Sequence, residues 1–286
     1  MPTCLSACLH TPPLAPVRTI AWSRPLVWLS RALQDISNAP LISLAHGLAL
    51  ILIGAAILTL GHNRFWLMAG ALSGFLVVGP LVATSLYAVS RAMERGEVAD
   101  WGLIRRTWTQ WQSCHATGRG GYWCMVRFGA LLALAATGWV VTSAALITLL
   151  APVPIETPRD FLLHVVLADE GWLFELWLAL GSLMAAPIFL SSVVAMPLLL
   201  DRRASLRQAI LTSWLAVLAN PLPMALWAAL ILGFTLLGLG SLLLGMIAVM
   251  PMLGHASWHA YRDLVDASSL PLRESVHATP TQGGRP

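Results

Sequence analysis

The clearest pattern along this chain is a series of long apolar runs without a single charged residue. The first, 41–61, is about the ~20 residues that an α-helix needs to cross a hydrocarbon layer. A tight polar turn, His62-Asn63-Arg64, separates it from a second run at 65–90. A third run occupies 128–150 and ends in Ala151-Pro152-Val153-Pro154, and a fourth occupies 176–200 and ends in Asp201-Arg202-Arg203. The stretch 208–261 then contains no Asp, Glu or Arg at all. One helix crosses in ~17–25 residues, so this stretch is too long for a single span. It has room for two short spans, about 222–239 and 241–261, turning near Gly238-Leu239-Gly240-Ser241. One long kinked helix is the other reading.

Between these runs the period changes to that of an amphipathic helix. Leu26, Leu29, Leu33 and Ile36 recur at helical spacing opposite Arg31, Gln34 and Asp35. Trp101, Ile104, Trp108 and Trp111 recur opposite Arg105, Arg106 and Gln110, and Leu206, Ile210, Trp214 and Val217 form a third stripe. Aromatic residues on one face with arginine on the other suit a helix lying in the membrane interface. The expected fold is therefore an all-α polytopic membrane protein: six transmembrane helices as three hairpins, each preceded by a short interfacial amphipathic helix. Gly74 and Pro80, Gly181 and Pro187, and Gly245 and Pro251 share one spacing on the three return helices, which predicts kinks at Pro80, Pro187 and Pro251.

Composition strengthens this picture. Of 286 residues, 57% are hydrophobic and 10% charged, against about 25% charged in soluble domains. The surplus apolar surface has to face lipid, which argues against a soluble enzyme. The chain has no lysine, and its 17 basic residues are all arginine. With a cytoplasmic N-terminus, only Arg64 and Arg159 fall outside, while the outer loop carries Glu156, Asp160, Asp169, Glu170 and Glu175. Positive charge gathers on the cytoplasmic side of membrane proteins, so the expected topology is multi-pass in a bacterial inner membrane with both termini cytoplasmic. The membrane domain is expected at 25–265, with disordered tails at 1–24 and 266–286. Cys4, Cys8, Cys114 and Cys124 then lie on the reducing side.

Candidate chemistry is sparse. His255 and His259 stand one helical turn apart with Asp263 a turn further on, a set that could hold a divalent metal. The competing reading places them with Trp258, Tyr261 and Arg262 in the polar–aromatic belt where a span leaves the bilayer. Thr117-Gly118-Arg119-Gly120-Gly121 lacks the ending of a phosphate loop, and there is no Gly-x-Ser-x-Gly elbow. His46 is the one titratable side chain well inside a run, which disfavours ion-coupled transport. No catalytic residue and no cofactor are expected. Trp101, Arg105, Arg106, Trp108, Trp111, Trp258 and Arg262 are the expected contacts to lipid or a partner, and the arginines lack the folded basic module that nucleic-acid binding needs.

Several blocks carry a family resemblance: Gly74-Phe75-Leu76-Val77-Val78-Gly79-Pro80, Ser90-Arg91-Ala92-Met93-Glu94-Arg95-Gly96-Glu97, Met196-Pro197-Leu198-Leu199-Leu200-Asp201-Arg202, Ala219-Asn220-Pro221-Leu222-Pro223-Met224, and the run from Gly254-His255 to Asp263-Leu264. Together they resemble the DUF2189 family of uncharacterised bacterial integral membrane proteins, over roughly 17–266. The resemblance implies a membrane protein and brings no activity. Some members are labelled cytochrome c oxidase subunits, but that role needs haem- and copper-ligating histidines spread over several spans, and here His46, His255 and His259 are too few. Three functions stay open: a non-catalytic membrane protein whose cytoplasmic Arg/Trp surface engages anionic lipid or another membrane protein, an uncoupled small-solute transporter or channel, and a metal- or haem-associated respiratory accessory factor.

Overall fold

The computed structural model describes residues 14–61, 79–109, 123–168 and 171–273. The turn at 62–64, most of the second run (65–78), Trp111, the glycine-rich joint at 117–121, Asp169, Glu170, Cys4, Cys8, Cys114 and the outer parts of both tails lie outside the described residues, as do the side chains of Pro80 and Cys124.

Among the described residues there are ten helices of seven residues or more and no strand. They are α1 (Arg24–Asn38), α2 (Pro40–Gly61), α3 (Thr84–Glu94), α4 (Trp101–Thr109), α5 (Trp123–Leu150), α6 (Trp172–Ser192), α7 (Ala195–Asp201), α8 (Leu206–Ala219), α9 (Pro221–Gly240) and α10 (Met246–Leu264). Proline sits in the first turn of α1 and α9 and opens α2, where its fixed φ suits the helix and its missing N–H is not needed. Gly96, with φ of 68°, closes α3 by donating its N–H to the Met93 carbonyl, a left-handed turn that favours glycine.

Among the described residues four helical stretches are long and apolar enough to cross a membrane: Pro40–Thr59, Val126–Leu150, Trp172–Asp201 and Pro221–Gly240, with mean hydropathies from 2.0 to 2.4. Only 22% to 44% of their positions are buried within the protein. Leucines at positions 48, 52, 134, 183 and 232 point outward, which suits lipid and would be costly in water. The described part of the second run ends in α3, whose residues from Thr84 to Ser90 are all buried.

The last expected span takes a different form. The chain turns at 241–245, where Leu242 and Leu243 adopt φ of 56° and 71°, so 221–261 is two helices rather than one. The second, α10, is not apolar enough to count among the four. It is the central helix, packed against α1, α2, α3, α7 and α9. Gly47 of α2 makes the closest approach, because a β-carbon there would collide with the backbone of Ile247. Pro251 lies buried inside α10 and Pro187 inside α6, and both helices run through their proline. The helical path breaks at Val193 and Val194, just before α7. The Val194 N–H released there donates to Ser213 Oγ of α8 at 3.1 Å, as a buried backbone donor requires.

The amphipathic helices α1 and α8 turn a mixture of small, polar and aromatic residues inward. In α1 the buried residues are Pro25, Trp28, Ala32 and Asp35, while Leu26 and Leu33 of the apolar stripe point out. In α8 the buried set is Ala209, Thr212, Ser213, Ala216 and Val217, with Leu211, Leu215 and Leu218 outward. Lipid chains accommodate leucine as well as a protein core does, whereas small residues let backbones approach and polar ones need partners. The residues just before α1 are not a loose tail. Asn220 Oδ1 accepts from the Ile20 N–H at 2.8 Å, and Asn220 Nδ2 donates to the carbonyls of Arg18 and Ala216, both at 2.9 Å. Val17 pairs in antiparallel fashion with Val265.

Candidate functional site

Six polar side chains of α10 find partners on other helices, while Ser257 donates to the Leu253 carbonyl of its own helix. His255 and His259 face α1, α2 and α3. Tyr261 faces α7, Trp258 and Arg262 face the end of α3, and Asp263 faces the start of α1.

Asp35 of α1 organises the first group. Its Oδ2 accepts from Ser90 Oγ at 2.6 Å and lies 3.0 Å from His259 Nε2. Ser90 Oγ is also 2.7 Å from His255 Nδ1, and His255 Nε2 is 3.0 Å from Ser43 Oγ. A carboxylate only accepts, so the single hydroxyl hydrogen of Ser90 is committed to Asp35. In the neutral imidazole of His255, Nδ1 must then carry the hydrogen given to Ser90, and Nε2 accepts from Ser43. The hydrogen bonds therefore run one way, from Ser43 through His255 and Ser90 to Asp35. His255, Ser43 and Ser90 are essentially sealed from solvent. Burial raises the Asp35 pKa, but hydrogen bonds from His259 and Ser90 more than offset it and hold the carboxyl below its ordinary value. A parallel pair lies one turn along α2: His46 Nδ1 donates to the Ile42 carbonyl, and Ser85 donates to His46 Nε2, both at 2.7 Å.

The network ties α1, α2, α3 and α10 together. From Gly47 to Leu58, α2 carries no side chain able to donate or accept a hydrogen bond, so the polar chain ends near one end of that helix.

The metal candidates are divided. His259 faces Asp35, whereas Asp263 accepts from Arg24 Nη2 at 2.6 Å and Trp28 Nε1 at 2.7 Å, with Arg31 at 3.6 Å. Among the described residues, no three His, Cys, Asp or Glu side chains gather so as to hold a metal ion. Glu94 accepts from Trp258 Nε1 at 3.0 Å and pairs with Arg262 at 2.8 Å. Trp258 is therefore core rather than surface, while Arg262 stays partly exposed. Asp201 accepts from Tyr261 Oη at 2.9 Å, Arg95 at 2.7 Å and Arg202 at 3.0 Å.

Of the expected surface residues, Trp101, Arg105, Arg106 and Trp108 are all exposed on α4, which docks by its buried Leu103 and Thr107, and Arg106 pairs with Asp100 at 3.6 Å. Sequence reasoning missed Asp35, Ser43 and Ser90. The available signal was that Asp35 is the only carboxylate before Glu94, in a helix otherwise flanked by apolar runs.

No curated protein and no solved structure matches the chain. A family model does match, from Leu67 to Asp201, taking in the blocks at 74–80 and 90–97 and most of that at 196–202, and stopping short of those at 219–224 and 254–264. Over residues 67–201, from the second apolar run to the end of α7, this chain matches the family model of DUF2189, described as a predicted integral membrane protein.

Proposed function

We propose that this is a non-catalytic multi-pass protein of a bacterial inner membrane, with six spans in three hairpins, both termini in the cytoplasm, and a cytoplasmic Arg/Trp surface seated on anionic lipid. The observation that carries the reading is α4. It buries Leu103 and Thr107 and presents Trp101, Arg105, Arg106 and Trp108 outward on one short helix. Indole rings settle at the headgroup level, and guanidinium groups reach lipid phosphates. The charge asymmetry supports the orientation, with Arg64 and Arg159 the only arginines outside. In this frame α10 is the sixth span, its polar end facing the cytoplasm and its polar groups satisfied by neighbouring helices rather than by water. The apolar length of α2 beyond His46 weighs against a solute path along that helix.

Alkaline-phosphatase fusions test the orientation. Activity is expected after Arg64 and within 156–170, and none after Arg95, after Arg203 or at the C-terminus. An active C-terminal fusion makes the span count odd and removes the last hairpin. Replacing Trp101 and Trp108 by Asp tests the surface: protease cleavage near α4 should increase in membranes. Unchanged cleavage, or seating restored only by a co-purifying membrane protein, transfers the surface from lipid to a partner.

A further inference from the structure

The connection between α5 and α6 is built on two unlike turns. Pro158–Phe161 form one α-helical turn and Leu162–Val166 one π-helical turn. A capping box fixes the start: Thr157 Oγ1 accepts from the Asp160 N–H at 3.1 Å, and Asp160 Oδ2 accepts from the Thr157 N–H at 2.9 Å. Glu156 and Arg159 beside it are exposed. The next turn is apolar apart from His164. There the Leu167 N–H donates to the Leu162 carbonyl at 2.9 Å, a five-residue step in place of the usual four. An α-turn would bring Val166 over Leu162. The wider step brings Leu167 over it instead, beside Leu163, and puts Val165 on the far side. Burial follows that geometry: Leu162, Leu163 and Leu167 are 47%, 43% and 63% exposed, whereas Val165 is sealed.

Val165 also fixes the height of this segment. It shares a core with Ile147, in the last turn of α5, and Leu173, in the first turn of α6. Both lie within stretches long and apolar enough to cross a membrane. The three outward leucines therefore stand at the level where those stretches end, not beyond it. Leu149, Trp172 and Leu176 are exposed at the same ends, and indole rings settle at the headgroup level. A patch of outward leucines is costly in water and marks a contact with something apolar. We propose that Leu162, Leu163 and Leu167 form a foot inserted in the leaflet at that end of α5, the outer leaflet in the orientation proposed above. The connection then lies in the membrane interface with its polar first turn in water. Lipid is the occupant because the patch continues the outward apolar surface of the two helices that it joins. The foot rests on α5 and α6 crossing the membrane and is independent of the α4 surface.

The test is spin labelling of the full-length protein in vesicles of phosphatidylglycerol and phosphatidylcholine, with Cys4, Cys8, Cys114 and Cys124 changed to serine. Labels at Leu162→Cys, Leu163→Cys and Leu167→Cys are read by relaxation with oxygen, which partitions into lipid, and with a nickel chelate, which stays in water. Glu156→Cys is the water reference. Leu134→Cys and Leu183→Cys, exposed within α5 and α6, are the lipid references. Oxygen should exceed nickel at all three leucines and nickel should exceed oxygen at Glu156, with the labels roughly 5–10 Å into the headgroup boundary. Leu162→Asp with Leu167→Asp should move the Leu163 label into the nickel-accessible class. Circular dichroism identifies any variant that fails to fold, and Leu167, the most exposed of the three, then decides. Nickel above oxygen at the leucines, with Leu134 and Leu183 still in lipid, overturns the foot and leaves the spans standing. Nickel above oxygen at Leu134 and Leu183 as well overturns the spans with it. Access to neither reagent at the leucines means that protein covers them and overturns the lipid assignment; spin–spin broadening then identifies a second copy of the chain.

Discussion

Replacing Asp35 with Ala removes the common acceptor of the buried network. Two donors lose their partner: the Ser90 hydroxyl at 2.6 Å and the His259 Nε2–H at 3.0 Å. Each unpartnered buried donor costs ~1–3 kcal/mol. The Ser90 donor is fully enclosed, while the His259 side chain is 15% exposed and regains part of its loss from water. The expected destabilisation is therefore about 3–4 kcal/mol, within the range for stripping one partner from a buried pair. Asp35→Asn keeps an acceptor oxygen for one donor but presents an amide to the other, and should cost about half as much. Removing Ser90 as well eliminates one orphaned donor, so Asp35→Ala with Ser90→Ala should cost ~1–2 kcal/mol less than the sum of the single changes. The assay is equilibrium unfolding in mixed micelles titrated with sodium dodecyl sulfate, followed by helical circular dichroism at pH 7. The sign with pH is also fixed. A carboxyl held below its ordinary value stabilises the fold above that value, and the contribution is lost as pH falls through the depressed one. Asp35→Ala should thus flatten the acid limb of stability. An Asp35→Ala protein within about 0.5 kcal/mol of the parent, the usual effect of a surface change, would refute the reasoning.

Gly47→Ala should destabilise by several kcal/mol on the same titration, because the added methyl meets the backbone of Ile247, which cannot swing aside. Asn220→Ala should loosen the chain around Ile20, seen as hydrogen exchange at the Ile20 amide faster by roughly tenfold or more, with α10 unaffected and Val17 still paired with Val265. Tyr261→Phe should cost only ~1 kcal/mol, since Asp201 keeps Arg95 and Arg202; a loss as large as that of Asp35→Ala would mean that the hydroxyl holds the whole Asp201 cluster.

What the sequence determined by itself is the all-helical membrane class, the apolar runs and the uneven distribution of arginine. Length and charge are one-dimensional properties, and crossing a bilayer selects on them directly. Pro40 and Pro221 likewise mark helix starts by local sterics alone. Only the tertiary structure decided which way the amphipathic helices face. The spacing of the leucine stripe of α1 does not say which of its neighbours are protein and which are lipid; in the structure Trp28 and Asp35 turn in and Leu26 and Leu33 turn out. Where solvent is hydrocarbon, a leucine gains little by choosing protein over lipid, so the apolar moment loses its meaning, and buried polar groups set the orientation instead. Their partners lie far along the chain: Ser90 is 55 residues from Asp35, Ser43 is 212 from His255, and Asp35 is 224 from His259. No local period carries such information. It exists only once α10 has packed among α1, α2 and α3, because a hydrogen bond is satisfied by position in space and not by spacing in sequence.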